Sequence, residues 1–247
     1  MSSFNRILTR FRDAFRCPHL AACATRVEDV ARRLQRRGLP VRIDSSRSWE
    51  YALVLDELGR NGPPTGGLLD VGGGGSPLAY ALAEEGRDVT VLEVDRDVVR
   101  EVNAVAGCLG LGERMRAVYG EPGAWPLDPS SFDAAVSVSV FESILRRHRP
   151  AFWRELRRTL RPRAPLLLTF DFGPEACYLG DAPADLAEVR RDLVEASGML
   201  LDGPLPPEPR FDPDLGPPVK AIVPTLDGHD QRAIAYTFAA LRLENPG

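Results

Sequence analysis

LLDVGGGGSPLAYALAEEG, residues 68–86, sets an apolar run of strand length, four consecutive glycines and an amphipathic helical segment in immediate succession. Glycine tolerates positive φ and has no side chain, so such a loop lets backbone approach a bound molecule closely. A strand-to-helix turn of this kind is shared by NAD(P), flavin and nucleoside-sulfonium binders, so the flanking residues must decide between them. Two of them oppose a dinucleotide. Counting G-x-G-x-x-G from Gly72 and Gly74 puts Pro77 in the third slot, where glycine would permit close helix–strand packing. Asp70, two residues before Gly72, sets a carboxylate where a pyrophosphate would need backbone N–H donors alone. A ligand carrying a sulfonium and an ammonium suits that carboxylate.

Working outward, apolar runs alternate with helical segments. The pattern predicts strands at 67–71, 88–93, 114–119, 134–139 and 165–171, with helices at roughly 77–85, 96–106, 149–160 and 184–197. That alternation argues for a parallel sheet covered by helices on both faces. A Pro/Gly-rich stretch, 203–231, precedes one more strand-like run, RAIAYTFAALRL. At the other end, Phe4, Ile7, Leu8, Phe11 and Phe15 recur at helical spacing. Thr25 with Glu28 makes a capping box for a second helix that stops at Gly38, and a third helix starts near Ser48.

Three further stretches fall in register with the first. VTVLEVDRD ends the second strand on acids, and DVGGGGS resembles the first motif of class I S-adenosylmethionine-dependent methyltransferases. VYGEPGAWPLDPSSFDAAVSVSVFESI resembles the family's G-D-A-x-x-L-P-F-P-D-x-S-F-D and S-V-L-E-H-[IV], with Ser143 where histidine is often found. RRTLRPRAPLLLTFDF resembles R-x-L-K-P-G-G leading into the fifth strand. The resemblance spans about residues 66–202. It implies an α/β, Rossmann-like seven-stranded sheet, mostly parallel with the last strand antiparallel, and S-adenosylmethionine as cofactor.

Carried over residue by residue, the resemblance implies cofactor contacts from Asp70, Gly72, Gly74, Glu93, Val94, Glu121 and Ser139. Glu93 falls at the ribose position, with Asp95 the alternative there and otherwise the N-cap of the next helix; Glu121 falls at the adenine position. Acceptor-side candidates are His148 and Asp171 as catalytic groups, with Trp49, Phe141, Glu142 and Tyr178 lining the pocket. The implied activity is methyl transfer to a small-molecule acceptor, and the source of a base depends on whether that acceptor must lose a proton. An aminopropyl transferase, a cyclase of the same fold and a non-catalytic partner subunit stay open as alternatives.

Composition narrows the setting. At 247 residues and 44% apolar content the chain supports one sizeable core, expected as a helical extension or lid over 1–48 and a cofactor domain over 49–247. No apolar run reaches the ~18 residues of a membrane span, and the N-terminus carries no secretory signal, so a cytoplasmic protein is expected. Four scattered cysteines read as reduced thiols. Cys17, His19 and Cys23 lack a fourth ligand, so no metal is expected. Net charge is −4, yet residues 1–42 hold ten arginines against Asp13, Glu28 and Asp29, a +7 arm on a −11 body. Such an arm either binds nucleic acid or docks on the protein's own acids, and docking is the expectation. No [DNS]-P-P-[YFW] follows the fourth strand and no Pro-Cys nucleophile appears, which opposes a nucleobase acceptor. An oligomer stays possible.

Overall fold

The structure, a computed structural model, describes residues 4–10, 17–39, 41, 47–63, 65–224 and 231–247. Five parallel strands form its centre: β2 (Gly67–Val71), β3 (Asp88–Glu93), β4 (Met115–Tyr119), β5 (Ala134–Val138) and β6 (Pro165–Phe172). The long last strand, β9 (Gln231–Glu244), lies antiparallel to β6, and the path across the sheet reads β1-β9-β6-β5-β2-β3-β4. β9 outruns β6. It therefore also collects β1 (Arg6–Ile7), β7 (Leu200–Leu201) and β8 (Val219–Pro224), which raises the expected seven strands to nine among the described residues.

Helices α1 (Pro18–Arg36), α2 (Ser48–Asn61), α3 (Pro77–Glu84) and α4 (Arg96–Cys108) cover one face, where Leu34, Leu53, Leu82 and Val91 share a core. Helix α5 (Arg149–Thr159) and a further turn, α6 (Leu186–Val189), continued as a π-helix over Arg190–Glu195, cover the other. β6 shows how one strand serves both. Leu166, Leu168 and Phe170 enter the second core while Leu167 enters the first, as the two-residue period of a strand requires. β2 pairs with β3 on one side and β5 on the other, so the chain reverses direction across the sheet at β2. In open α/β sheets ligands bind in the crevice beyond the strand ends at that point.

The N-terminal expectation needs correction. Phe4 and Leu8 are buried as their apolar character demands, but Arg6–Ile7 forms an edge strand pairing with Ala240 and Ala239 rather than a helix, and the Thr237 hydroxyl donates to the Leu8 carbonyl. The tertiary offer of unpaired β9 backbone outweighs a helical spacing of five side chains. Phe11 and Phe15 lie outside the described residues. The next helix starts at Pro18, seven residues before Thr25, because Pro sets the φ of a first turn. Thr25 instead donates to the Ala21 carbonyl within the helix. Its C-terminus is as expected, with Gly38 at φ +68.

α1 packs on α2 and α3 through Leu20, Val27, Val30 and Leu34. Arg26 pairs with Glu85 and Arg33 with Glu84, each at 2.7 Å, so part of the basic arm docks on acids of the body. Cys17 stands at the N-cap of α1 and Cys23 packs half-buried against the core. Among the described residues no helix is long and apolar enough to cross a membrane.

Candidate active site

The glycine loop leaves β2 at the switch point, and each of its first three glycines is fixed by a neighbour. Gly72 sits at φ +74, and a Cβ there would meet Val140 Cγ2 at 2.6 Å. At Gly73 a Cβ would fall inside the Asp70 carboxyl, and at Gly74 against Val98 and Glu93. The sequence reading weighted Gly72 and Gly74; Gly73 is equally constrained. Gly73→Ala is therefore expected to lose the fold of the loop outright, checked by loss of cooperative thermal unfolding or of cofactor binding in calorimetry. Ser76, which ends the glycine loop, caps α3 by accepting from Leu78 N at 3.1 Å, with Pro77 in the first turn.

Asp70 is buried, and neither of its oxygens has a partner. Burial, with Glu93 nearby, pushes its carboxyl up to about 7. Glu93, at the end of β3, is half-buried and accepts from Gly74 N at 3.3 Å, which ties the second strand to the loop. Asp95 accepts from Asp97 N and Val98 N and so is the N-cap of α4.

Beyond these strand ends lies a cavity of about 400 Å³, lined mainly by apolar groups. Gly72, Glu93, Val94, Ser139 and His148 all border it, and Val94 is 64% exposed at its edge. Trp125 and Phe152, edge to face with centroids 5.9 Å apart, form part of its wall. Gly120 and Pro122 line it too, but Glu121 between them is exposed and accepts from the Tyr119 hydroxyl at 3.1 Å, outside that lining. His148 stands at the N-cap of α5, with Nε2 accepting from Arg147 Nε at 3.2 Å.

Two expected pocket residues are corrected. Trp49 is 1% exposed and stacks on Phe238, and Phe141 is fully buried against Trp153 and Phe170 with the Arg149 guanidinium 4.1 Å above its ring. Both large rings gain more from the core than a cavity rim would give them. Tyr178 lies on the turn Ala176–Leu179, and its side chain is outside the described residues.

Sequence reading missed Glu50. It sits in the first turn of α2, fully buried, accepting from Ser139 Oγ at 2.7 Å and paired with Arg47 at 3.2 Å. Burial pushes it up to about 7, against the pull of Arg47. Arg47 also lies 3.8 Å from Asp171, which is buried at the end of β6. Ser139 itself holds φ +51, an uncommon conformation for a residue with a Cβ, of the kind that gathers at functional positions. The signal was a charged residue at i+1 of a tryptophan in an otherwise apolar helix start, which helical periodicity alone assigns to solvent.

Residues 68–163, from β2 to the turn before β6, match a family pattern described as a methyltransferase domain, and the fold around them is Rossmann-like. No curated protein matches it. Among solved structures, the methyltransferase domain and its flanks are similar to the [4+2]-cyclase SpnF (19% identity, 91% of this chain and 93% of that one, TM-score 0.59). They are also similar to geranyl diphosphate C-methyltransferase of Streptomyces coelicolor A3(2), solved with S-adenosyl-L-homocysteine (13%, 80% and 76%, 0.55). A SAM-dependent methyltransferase of Methanosarcina mazei is a third (18%, 74% and 93%, 0.52). At these identities the likeness is one of fold. The methyltransferase domain's glycine loop and buried Asp70 fit its cofactor: the loop leaves room for no Cβ, and an orphaned carboxylate needs a cationic or donating partner.

Proposed function

We propose that the protein transfers a methyl group from S-adenosylmethionine to a small-molecule acceptor. The observation that carries this reading is Asp70, buried without a partner beneath a glycine loop whose Gly72, together with Glu93, borders an apolar cavity. Asp70 would offer its carboxylate to the amino-acid end of the cofactor, with the Gly72 and Gly74 backbone closing over it. Glu93 would accept from the ribose hydroxyls, and Val94 would cover the base. Glu121 would accept from the adenine amino group by releasing Tyr119. Ser139 would fix the wall opposite the loop.

The cofactor supplies a methyl on a sulfonium, already a good leaving group. What the chain adds is alignment in a space that Trp125, Phe152 and Val140 keep poor in water. On the acceptor side His148 borders the cavity, while Asp171 and Glu142 stand behind it. Arg47, the last residue but one of the 1–48 extension, reaches Asp171 and Glu50, so we assign that extension the closing of the acceptor side.

The test is calorimetry followed by mass spectrometry with labelled S-adenosylmethionine and host extract. Binding of S-adenosylmethionine or its product, no binding of NADH and a labelled small molecule are expected. A product of unchanged methyl count would assign the chain a cyclising or other non-methylating reaction instead. Glu93→Ala should weaken binding by about 1–3 kcal/mol through unpaired buried hydroxyls. Asp95→Ala should cost about 1 kcal/mol of stability as a lost cap and leave affinity nearly unchanged. Equal affinity for the Glu93 variant and the parent would overturn the ribose assignment.

A further inference from the structure

Glu142 follows β5 in a single 3₁₀ turn, Phe141–Ser143. It is 3% exposed, and neither oxygen of its carboxyl has a hydrogen-bond partner. Its position is not free to relax. Phe141 before it is locked into the aromatic core, its own carbonyl accepts from Asp181 N at 2.8 Å, and Gly180 packs against that carbonyl where any Cβ would collide.

Two more buried carboxyls face it, Asp171 from β6 and Glu50 from α2; among the described residues Arg47, just before α2, is the cation that faces them. Burial and the neighbouring Asp171 push the Glu142 carboxyl well above its ordinary range. Its chain neighbours Val140 and Ser143 line the cavity, and so does Ser139, which donates to Glu50, while the Glu142 carboxyl stands just behind that lining.

An ionised carboxylate buried without partners costs several kcal/mol, and an apolar side chain would fill the same space at no such cost. The carboxyl that burial keeps protonated gives its proton to solvent when a cation arrives beside it; the carboxylate then offers acceptors only, so it discriminates between ligands by charge and by their N–H donors. Resting on the methyl-transfer reading above, we propose that Glu142, backed by Asp171 and Glu50, is the acceptor subsite and takes an ammonium, so that the acceptor is a primary or secondary amine entering as its cation. The bound ammonium gives one N–H proton to a Glu142 oxygen. This leaves a carboxylic acid and a neutral amine with a free lone pair; no co-reactant is needed. A neutral alcohol gains less there, and an anionic acceptor is repelled.

The experiment uses the full-length protein saturated with S-adenosylhomocysteine, whose own titration is recorded first. Benzylammonium, benzyl alcohol and benzoate are then titrated separately at pH 8. Benzylammonium is expected to bind about tenfold more tightly than either of the others. In Glu142→Gln that preference should vanish while the affinity for S-adenosylhomocysteine stays within about twofold of the parent; should that variant not fold, Asp171→Asn carries the same comparison. Benzyl alcohol or benzoate binding as tightly as the ammonium, or a preference that survives the substitution, overturns the proposal. Absence of S-adenosylhomocysteine binding would instead overturn the cofactor reading, which that first titration reads separately.

Discussion

Ligand-free protein is expected to lose stability as pH rises from about 4 to about 7, the reverse of ordinary acid unfolding. Asp70 is raised from 3.8 to about 7 and Glu50 from 4.5 to about 7, both by burial. A group whose folded pKa exceeds its unfolded one holds its proton more tightly in the native state. Well below pH 4 native and unfolded chains both carry it. Through the window up to 7 only the unfolded chain releases it, so unfolding gains; above 7 the loss is complete. One pK unit is about 1.4 kcal/mol, so Asp70 alone withdraws roughly 4 kcal/mol across that window, a large part of the 5–15 kcal/mol of a typical domain. Asp70→Asn isolates the effect. Its buried amide is still unpartnered and costs about 1–3 kcal/mol at any pH, so the variant should be less stable than the parent near pH 4 and more stable near pH 8. Urea titrations at the two pH values read the crossing. Parallel curves would mean that Asp70 is not buried as a lone acid. With S-adenosylhomocysteine bound, the proposed contact of its ammonium with the carboxylate should shrink the parent's slope.

The residues responsible for that behaviour also show where sequence reading succeeds and where it stops. Strands of the parallel centre were legible because a buried parallel strand is apolar throughout and is punctuated by glycine or a capping residue. β2 and β3 matched residue for residue, and Asp95 was readable as a cap from its place before a helix. The cofactor loop was legible because Asp70 and the glycines are neighbours in the chain. Of the acid cluster, Asp171 and Glu142 were readable as acceptor-side candidates from their places after the strands, but Glu50 was not, because it comes from α2 and only the tertiary fold sets it beside the ends of β5 and β6. Glu50 beside Trp49 reads as a solvent-facing position until Ser139, 89 residues away, is seen to donate to it. The N-terminal strand failed for the same reason. β1 has two residues and exists through β9 alone, which no local pattern announces.

Deleting residues 1–40 is expected to abolish folding. The removed segment supplies Phe4, Leu8, Leu20, Val27, Val30 and Leu34, each no more than 4% exposed, and uncovers the α2 and α3 side chains they pack against. At about 1.5–3 kcal/mol per buried side chain, the loss is about 9–18 kcal/mol, which matches or exceeds the stability of an ordinary domain. Burial rather than charge should carry this docking. The pairs Arg26–Glu85 and Arg33–Glu84 have arginines about half exposed, and such pairs are worth about 0.2–1 kcal/mol each. Arg26→Gln with Arg33→Gln should therefore lower stability by no more than about 2 kcal/mol, whereas Leu34→Ala alone should cost about 2–5 kcal/mol. Chemical denaturation of the two variants decides between the forces. If the arginine pair costs more than Leu34→Ala, the +7 arm is held electrostatically. If the truncated chain unfolds cooperatively and still binds S-adenosylhomocysteine, the segment is a separable cover on a domain complete without it.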